Sequence, residues 1–399
     1  MIALCVGLNM LDGFDVLAMS FAASGVKADW HLLDSQLGAL LSAGLVGMGL
    51  GSLTLGPCAD RWGRRIIVLL SAALACLGML SSALARGYAE LLALRVLTGI
   101  GIGGTIASVA VIVSEYAPDK LRGTALALYA MGYSIGATLG GALAAYAIPR
   151  YGWRAAFVIG GALSLLMWPL AWRRLPESLD FLLTRSSPSG LPRVNAHRSG
   201  PDAAGAQLRV LMRPPTLLVW IVFFCTMAGF YFILSWTPRL LNAAGLSAAQ
   251  GMTGGVLLNL GGIAGCGLFA FAAARADTHR LLLGTLIGSA LLIVAFGLVM
   301  HRLDMALYTA LLLGIIANAA MAGLYAVGPP LYPTAVRTTG MGWAIGIGRL
   351  GAILAPLASG ALLDRGWLPG ELYFFFSASF VVAAVALFLI GPARARSTA

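Results

Sequence analysis

The sequence predicts an all-α membrane protein in which twelve transmembrane helices form two six-helix pseudo-repeats. Three observations carry this. Only 10% of the 399 residues are charged while 59% are apolar, with a mean hydropathy of +0.89. A soluble domain usually holds about 25% charged residues, so this chain cannot cover a water-facing surface and its solvent is mostly lipid. Apolar runs of roughly 20 residues, the length a helix needs to cross a bilayer, recur from end to end, and patterns of the first half return in the second.

Taken in order, the runs lie near 2–26, 36–57, 65–85, 88–113, 122–147, 153–172, 216–240, 250–274, 280–300, 304–328, 337–362 and 369–391. Charged residues or Pro and Gly separate them. The first run has no basic region before it, is longer than a signal-peptide core and contains two aspartates, so it reads as a retained helix. Almost no tail precedes it; either the natural start lies upstream or the tail is short. Between the sixth and seventh runs stands the only long polar stretch, rich in Ser, Pro and Arg. It reads as a cytoplasmic linker over 174–214 between an N-terminal bundle (1–173) and a C-terminal bundle (215–399).

Lys and Arg set the orientation. Arg61, Arg64, Arg65, Lys120, Arg122, Arg173 and Arg174 lie on the side of the N-terminus, with further arginines in the linker and the C-terminal tail. The other side carries Lys27, Arg86, Arg150, Arg154, Arg239, Arg302 and Arg365. The excess places both termini in the cytoplasm. The net charge of +11 then needs no nucleic acid, and no dense basic helix or basic-aromatic module suggests one.

The halves echo each other. "GPCADRWGRR" between runs two and three returns in worn form as "ARADTHR" between runs eight and nine. "PDKLRGTALALYAMGYSIG" before run five parallels "PTAVRTTGMGWAIGIGRLG" before run eleven. Such a parallel duplication implies a cavity where the halves meet, near the bilayer midplane.

The most specific local signal is the loop Gly56-Pro-Cys-Ala-Asp60-Arg61-Trp-Gly63-Arg64-Arg65. A tight Gly/Pro turn with one acid and three arginines can pair with a neighbouring helix end and release when the halves rock. Asp60 is expected at a helix N-terminus or against an arginine, where it would stabilise one access state. Positive-inside anchoring alone would also explain the arginines, but the ordered spacing and its echo favour a gating loop. Glu115, at the cytoplasmic end of the fourth run, and Arg122 are expected to join it through ion pairs.

This loop resembles the signature of the major facilitator superfamily, G-x-x-x-D-R-x-G-R-R. With "DGFD" in the first helix, "LRVLTGIGIGG" in the fourth, "PESLDFLL" after the sixth and "LYPTAVRTTGMG" before the eleventh, the chain resembles the aromatic acid:proton symporters. That resemblance covers nearly the whole length. It implies the major facilitator fold, import of benzoate-type carboxylates with protons, a bacterial inner membrane, and no cofactor beyond the proton gradient.

Four charges lie clearly inside the apolar runs: Asp12, Asp15, Arg95 and Arg349. A carboxylate at the centre of a spanning helix costs roughly 2.5–3.5 kcal/mol on insertion scales. Asp12 and Asp15 are spaced i, i+3 and share a helix face. Two neighbouring acids repel when both ionise and burial penalises the charged form, so one can hold a proton and release it when the cavity opens. A purely structural pairing with Arg95 would also account for them. Arg95 lies about two turns into the fourth helix; its fork can take a carboxylate, the protein's own or a substrate's. Arg349 lies deeper, between glycines and without an acid partner in its own helix, and is a candidate anion receptor.

An aromatic substrate needs flat faces and a few polar groups. Tyr133, Tyr325 and the mid-helix Asn318 are the chosen candidates, with Tyr129, Tyr231, Trp236 and Trp343 considered beside them. The two tryptophans read more simply as interfacial belt residues. The glycine runs follow no strand and lack a P-loop lysine, so close helix packing explains them better than nucleotide binding. The five cysteines are scattered without CxxC spacing and indicate neither disulfides nor a metal site. No HExxH, GxSxG or paired catalytic-acid loop suggests an enzyme. The expectation is a monomeric carrier working in lipid by alternating access. Another organic anion, or drug/proton antiport, remains open as its task.

Overall fold

Most positions along the helices are apolar residues that lipid or a neighbouring helix can cover, interrupted by small residues where helices touch. The computed structural model describes residues 1–118, 122–179, 181–182, 214–332 and 337–391. Among these it has no strand and twelve helices long and apolar enough to cross a membrane. They are α1 (Ile2–Trp30), α2 (Asp34–Trp62), α3 (Arg64–Ala83), α4 (Tyr88–Tyr116), α5 (Arg122–Tyr151), α6 (Arg154–Arg174), α7 (Pro214–Ala243), α8 (Ala248–Ala273), α9 (Thr278–Val299), α10 (Leu303–Val327), α11 (Arg337–Asp364) and α12 (Pro369–Ile390). Most of the expected linker, 183–213, lies outside the described residues.

Several helices outrun their apolar cores. α1 continues past Val26 because Lys27 reaches Asp34, Nζ to Oδ2 at 2.5 Å, so its charge is paired without ending the helix. α2 corrects the expected Gly/Pro turn: Pro57 sits inside the helix, which runs on to Trp62. The turn itself is the single residue Gly63, whose φ of 103° suits a residue without a side chain. Asp60 therefore occupies the last turn of α2 and not a helix N-terminus.

Each half is built on the same contacts. α2 packs on α4, α1 on α5 and α3 on both α4 and α6; in the second half α8 packs on α10, α7 on α11 and α9 on both α10 and α12. The glycine runs do what lipid-phase packing asks of small residues. A Cβ on Gly47 or Gly51 of α2 would lie 2.2 or 2.1 Å from a carbonyl oxygen of α4. On α8, a Cβ at Gly261 or Gly265 would meet α10 at 2.3 or 2.0 Å. The duplication legible in the sequence is thus repeated in the seams.

The halves meet through α2 with α11, α5 with α8, and α1 with α7. Among the described residues, the hydrogen bonds that cross between them cluster toward the end carrying the α1–α2 turn. Ser42 Oγ donates to the Ile353 carbonyl (2.7 Å), and two amides of α2 donate to Asp364. Within the second half, Trp236 of α7 is fully buried and its Nε1 donates to the Pro356 carbonyl of α11 (3.3 Å), which corrects its reading as an interfacial belt residue. Toward the opposite end the seam loosens: Gly49 and Gly56 of α2 and Gly342 and Gly346 of α11 face open space. The molecule is closed on the α1–α2 face and open toward the α2–α3 face.

Candidate functional site

Helix α1 brings its acids to mid-membrane by lying almost in backbone contact with α5. Asn9 Nδ2 donates to the Tyr129 carbonyl at 2.6 Å, and a Cβ on Gly13 would stand only 2.0 Å from the Tyr133 carbonyl oxygen. Gly13 in "DGFD" is therefore a contact point, and the aspartates on either side of it are carried inward. Asp12 and Asp15 are 5% and 3% exposed. Asp12 Oδ2 and Asp15 Oδ1 have no hydrogen-bond partner.

The two acids look in different directions. Asp12 is within electrostatic reach of Tyr129 and Tyr133 of α5. Asp15 is within reach of Arg95 of α4 and Cys76 of α3, and its Oδ1 lies 3.0 Å from where a Cβ on Gly160 of α6 would be. Three positions along a helix turn the side chain by about 60°, enough to send one acid toward α5 and the other into the α3–α4–α6 interior.

Arg95 is held in that interior. Its Nη2 donates to Ser82 Oγ (2.6 Å) and Thr98 Oγ1 (3.0 Å), and the guanidinium lies 4.7 Å over the Phe157 ring. It is 3% exposed, its Nε has no partner, and it forms no direct ion pair with Asp15. Both line one small cavity of about 20 Å³ between α1, α2 and α4, walled by Leu41, Leu45, Met48 and Ile102. The structure thus brings Arg95 to Asp15, inside one half.

Arg349 has the opposite setting. It is half-buried on α11, and no hydrogen bond or ion pair engages it among the described residues. Tyr133 of α5 and Tyr325 of α10 lie within its electrostatic reach, and Tyr231 of α7 within reach of both. Tyr133 Oη has no partner, and Tyr325, though packed edge-on against Phe223, is 44% exposed. With no protein counterion among the described residues, and with the phenols of Tyr133 and Tyr325 in reach and Tyr231 in reach of both, this cation can accept an anion with a flat ring. Tyr231, considered in sequence as an aromatic of the seventh helix, joins this cluster.

Asn318 is not brought to this cluster. Its Nδ2 donates to the Gly314 carbonyl one turn back (2.9 Å), and its amide rests against Gly262 in the α8–α10 seam. Trp343 stacks on Trp220 and is 54% exposed.

The charged loop folds onto its own half. Arg64 pairs with Glu115 and donates to Ser178 Oγ (3.2 Å), while Asp60, 71% exposed at its side chain, lies 3.5 Å from Arg64. Glu115 also accepts from Ser178 Oγ (2.7 Å) and the Leu179 amide (2.9 Å). Glu177 accepts from the amides of Arg65 (3.0 Å) and Ser178 (2.9 Å), and Arg65 reaches the Trp172 carbonyl. Arg61 points to the exterior; the side chain of Arg122 lies outside those described. Glu177 and Ser178 have roles here that spacing did not reveal, because they follow α6 in the stretch read from sequence as linker. In the second half the echo is loose: Asp277 caps α9 and lies 3.8 Å from a largely exposed Arg280.

Two six-helix bundles around a mid-membrane cluster of acids and one unpaired arginine, open on one face only, define a membrane transporter rather than an enzyme. Known proteins agree. The Major Facilitator Superfamily signature matches residues 3–302. The Gallate transporter of Pseudomonas putida is 33% identical over all of this chain and 92% of its own length. The 4-hydroxybenzoate transporter PcaK of Pseudomonas putida is 33% identical, covering 92% of this chain and 86% of itself. The 3-(3-hydroxy-phenyl)propionate transporter of Escherichia coli K12 is 32% identical over 99% and 94%. In fold, the chain superposes on the inward open xylose transporter XylE of E. coli with a TM-score of 0.81 at 18% identity, covering 98% of this chain and 96% of that one. The chain belongs to the Major Facilitator Superfamily.

Proposed function

We propose that this protein imports an aromatic carboxylate together with a proton, by alternating access, across a bacterial inner membrane with both termini in the cytoplasm. The observation that carries the proposal is Arg349: a cation at mid-membrane with no counterion among the described residues, in reach of Tyr133 and Tyr325. An uncompensated charge at that depth is expensive, and a carboxylate on a ring would offset it while the phenols cover the ring. Relatives named for gallate, 4-hydroxybenzoate and 3-(3-hydroxy-phenyl)propionate support the same chemical class.

In this reading Asp12 and Asp15 carry the proton, with Asp15 favoured. Arg95 acts through Asp15, with which it lines one small cavity, so proton uptake and release follow the geometry of that cavity. The Asp60–Arg65 loop with Glu115 and Glu177 governs access on the cytoplasmic face. The proton gradient is the energy source; no cofactor is invoked, and a monomer suffices.

The test is uptake by proteoliposomes under an imposed proton gradient, with labelled benzoate, hydroxybenzoates, gallate, gentisate and non-aromatic acids as the panel. Acid-driven accumulation of at least one aromatic acid is expected. No response to any aromatic acid would overturn the assignment, and a response confined to non-aromatic acids would point to another organic anion. Arg349→Ala should weaken carboxylate binding at least tenfold more than binding of the matching amide. Equal loss for both would make Arg349 structural.

A further inference from the structure

Helix α2 begins at Asp34, and the residue before it is Leu33, which has no side-chain oxygen to cap it. The first amides of a helix need acceptors from outside the helix. Both of the first two find them on Asp364, the last residue of α11 and 330 positions away. Its Oδ1 accepts from the Asp34 amide at 2.8 Å and its Oδ2 from the Ser35 amide at 2.9 Å. A carboxylate is also the charge that the positive end of a helix favours.

The same point is tied from other directions. The Asp34 side chain takes Lys27 of its own half at 2.5 Å and lies 3.8 Å from Arg239 of the other half. One turn before Asp364, Gly360 lies so close to α2 that a Cβ there would be 2.2 Å from the Asp34 carbonyl oxygen. Below this, Ser42 is 2% exposed, with its hydroxyl on the Ile353 carbonyl.

We propose that Asp364 is a helix cap supplied in trans, which latches the two halves on the α1–α2 face and biases the carrier toward the state open on the opposite face. One half provides the helix and the other its cap. Rocking the halves apart here strips α2 of its cap and Asp364 of its two donors at once. The latch rests on alternating access and not on the identity of the substrate. Losing an N-cap shifts a folding equilibrium by about tenfold, and the latch should shift the ratio of the two access states by a similar factor.

The test uses full-length protein in nanodiscs, with the five native cysteines replaced and Ser42→Cys as reporter. Excess charged maleimide labels this cysteine only when the seam opens, so the rate follows the open fraction even when that fraction is small. Asp364→Ala should raise the rate about tenfold. Gly360→Ala, which presses on the same contact from α11, should raise it too. Adding Leu33→Asp to Asp364→Ala gives α2 a cap of its own; the melting temperature should recover while labelling stays fast. An unchanged rate in both single variants would overturn the latch. So would a rate restored by Leu33→Asp, because the cap would then serve α2 alone. No substrate enters the measurement, so its failure leaves the proposed function standing.

Discussion

Gly13→Ala is the smallest change that tests how the acids are held. The new Cβ would begin 2.0 Å from the Tyr133 carbonyl oxygen, and ordinary contact starts near 3.4 Å. The atom it meets is backbone, so α1 and α5 must separate by about 1.4 Å locally. Overpacking of this kind costs about 1–3 kcal/mol, partly offset by the roughly 1 kcal/mol by which Ala exceeds Gly in a helix. The larger consequence is functional: the displaced segment carries Asp12 and Asp15, and a shift of about 1 Å in a working group can lower a rate by about 100-fold.

Two controls isolate the effect. Gly284→Ala enters open space on α9 and should leave both stability and uptake near the parent. Gly136→Ala strikes the Met10 carbonyl at 1.8 Å in the same seam and should lower stability as much as Gly13→Ala. Its contact at Met10 is two residues from Asp12 and five from Asp15, against one and two for Gly13, so it should impair uptake less. The assay is thermal unfolding in detergent, paired with uptake per folded molecule in proteoliposomes. Parent-level melting and uptake in Gly13→Ala would refute the claim that backbone contact at Tyr133 positions the acids.

Asp15→Asn should abolish proton-driven accumulation while substrate exchange down a concentration gradient continues; accumulation at the parent level would remove Asp15 from the coupling. Arg95→Met alone should destabilise the fold by about 3–5 kcal/mol if it strands a charged Asp15, and Asp15→Asn/Arg95→Met should recover most of that loss in thermal unfolding. Additive losses would show that Arg95 serves Ser82 and Thr98 rather than Asp15. Glu115→Gln weakens a charge-assisted acceptor of the Leu179 amide, so hydrogen exchange at Leu179 should quicken by about tenfold. Unchanged exchange would mean that Glu177 alone holds the segment.

The helices were legible because lipid imposes one rule on every spanning segment: enough apolar residues, with backbone polar groups satisfied within the helix. Their ends were less legible. Lys27 and Pro57 look like terminators in sequence, yet Lys27 finds Asp34 and Pro57 merely omits one amide, so α1 and α2 continue. At the centre, Asp12, Asp15, Arg95 and Arg349 stood out because charge is rare at that depth. Their partners did not, since which residue faces which depends on helix rotation. Asn318 shows the limit: a polar residue in mid-helix can satisfy itself on its own backbone, as it does at Gly314.

By itself the sequence determined the twelve-helix plan, the duplication and the membrane-embedded charges, since each follows from composition and spacing along one strand of chain. Only the tertiary structure decided that Arg95 belongs to Asp15 within one half while Arg349 stands free between phenols. It alone joined Asp34 to Asp364, from opposite ends of the chain. These are contacts between helices, fixed by the angle at which each packs, and a rotation of about 60° is enough to exchange one partner for another.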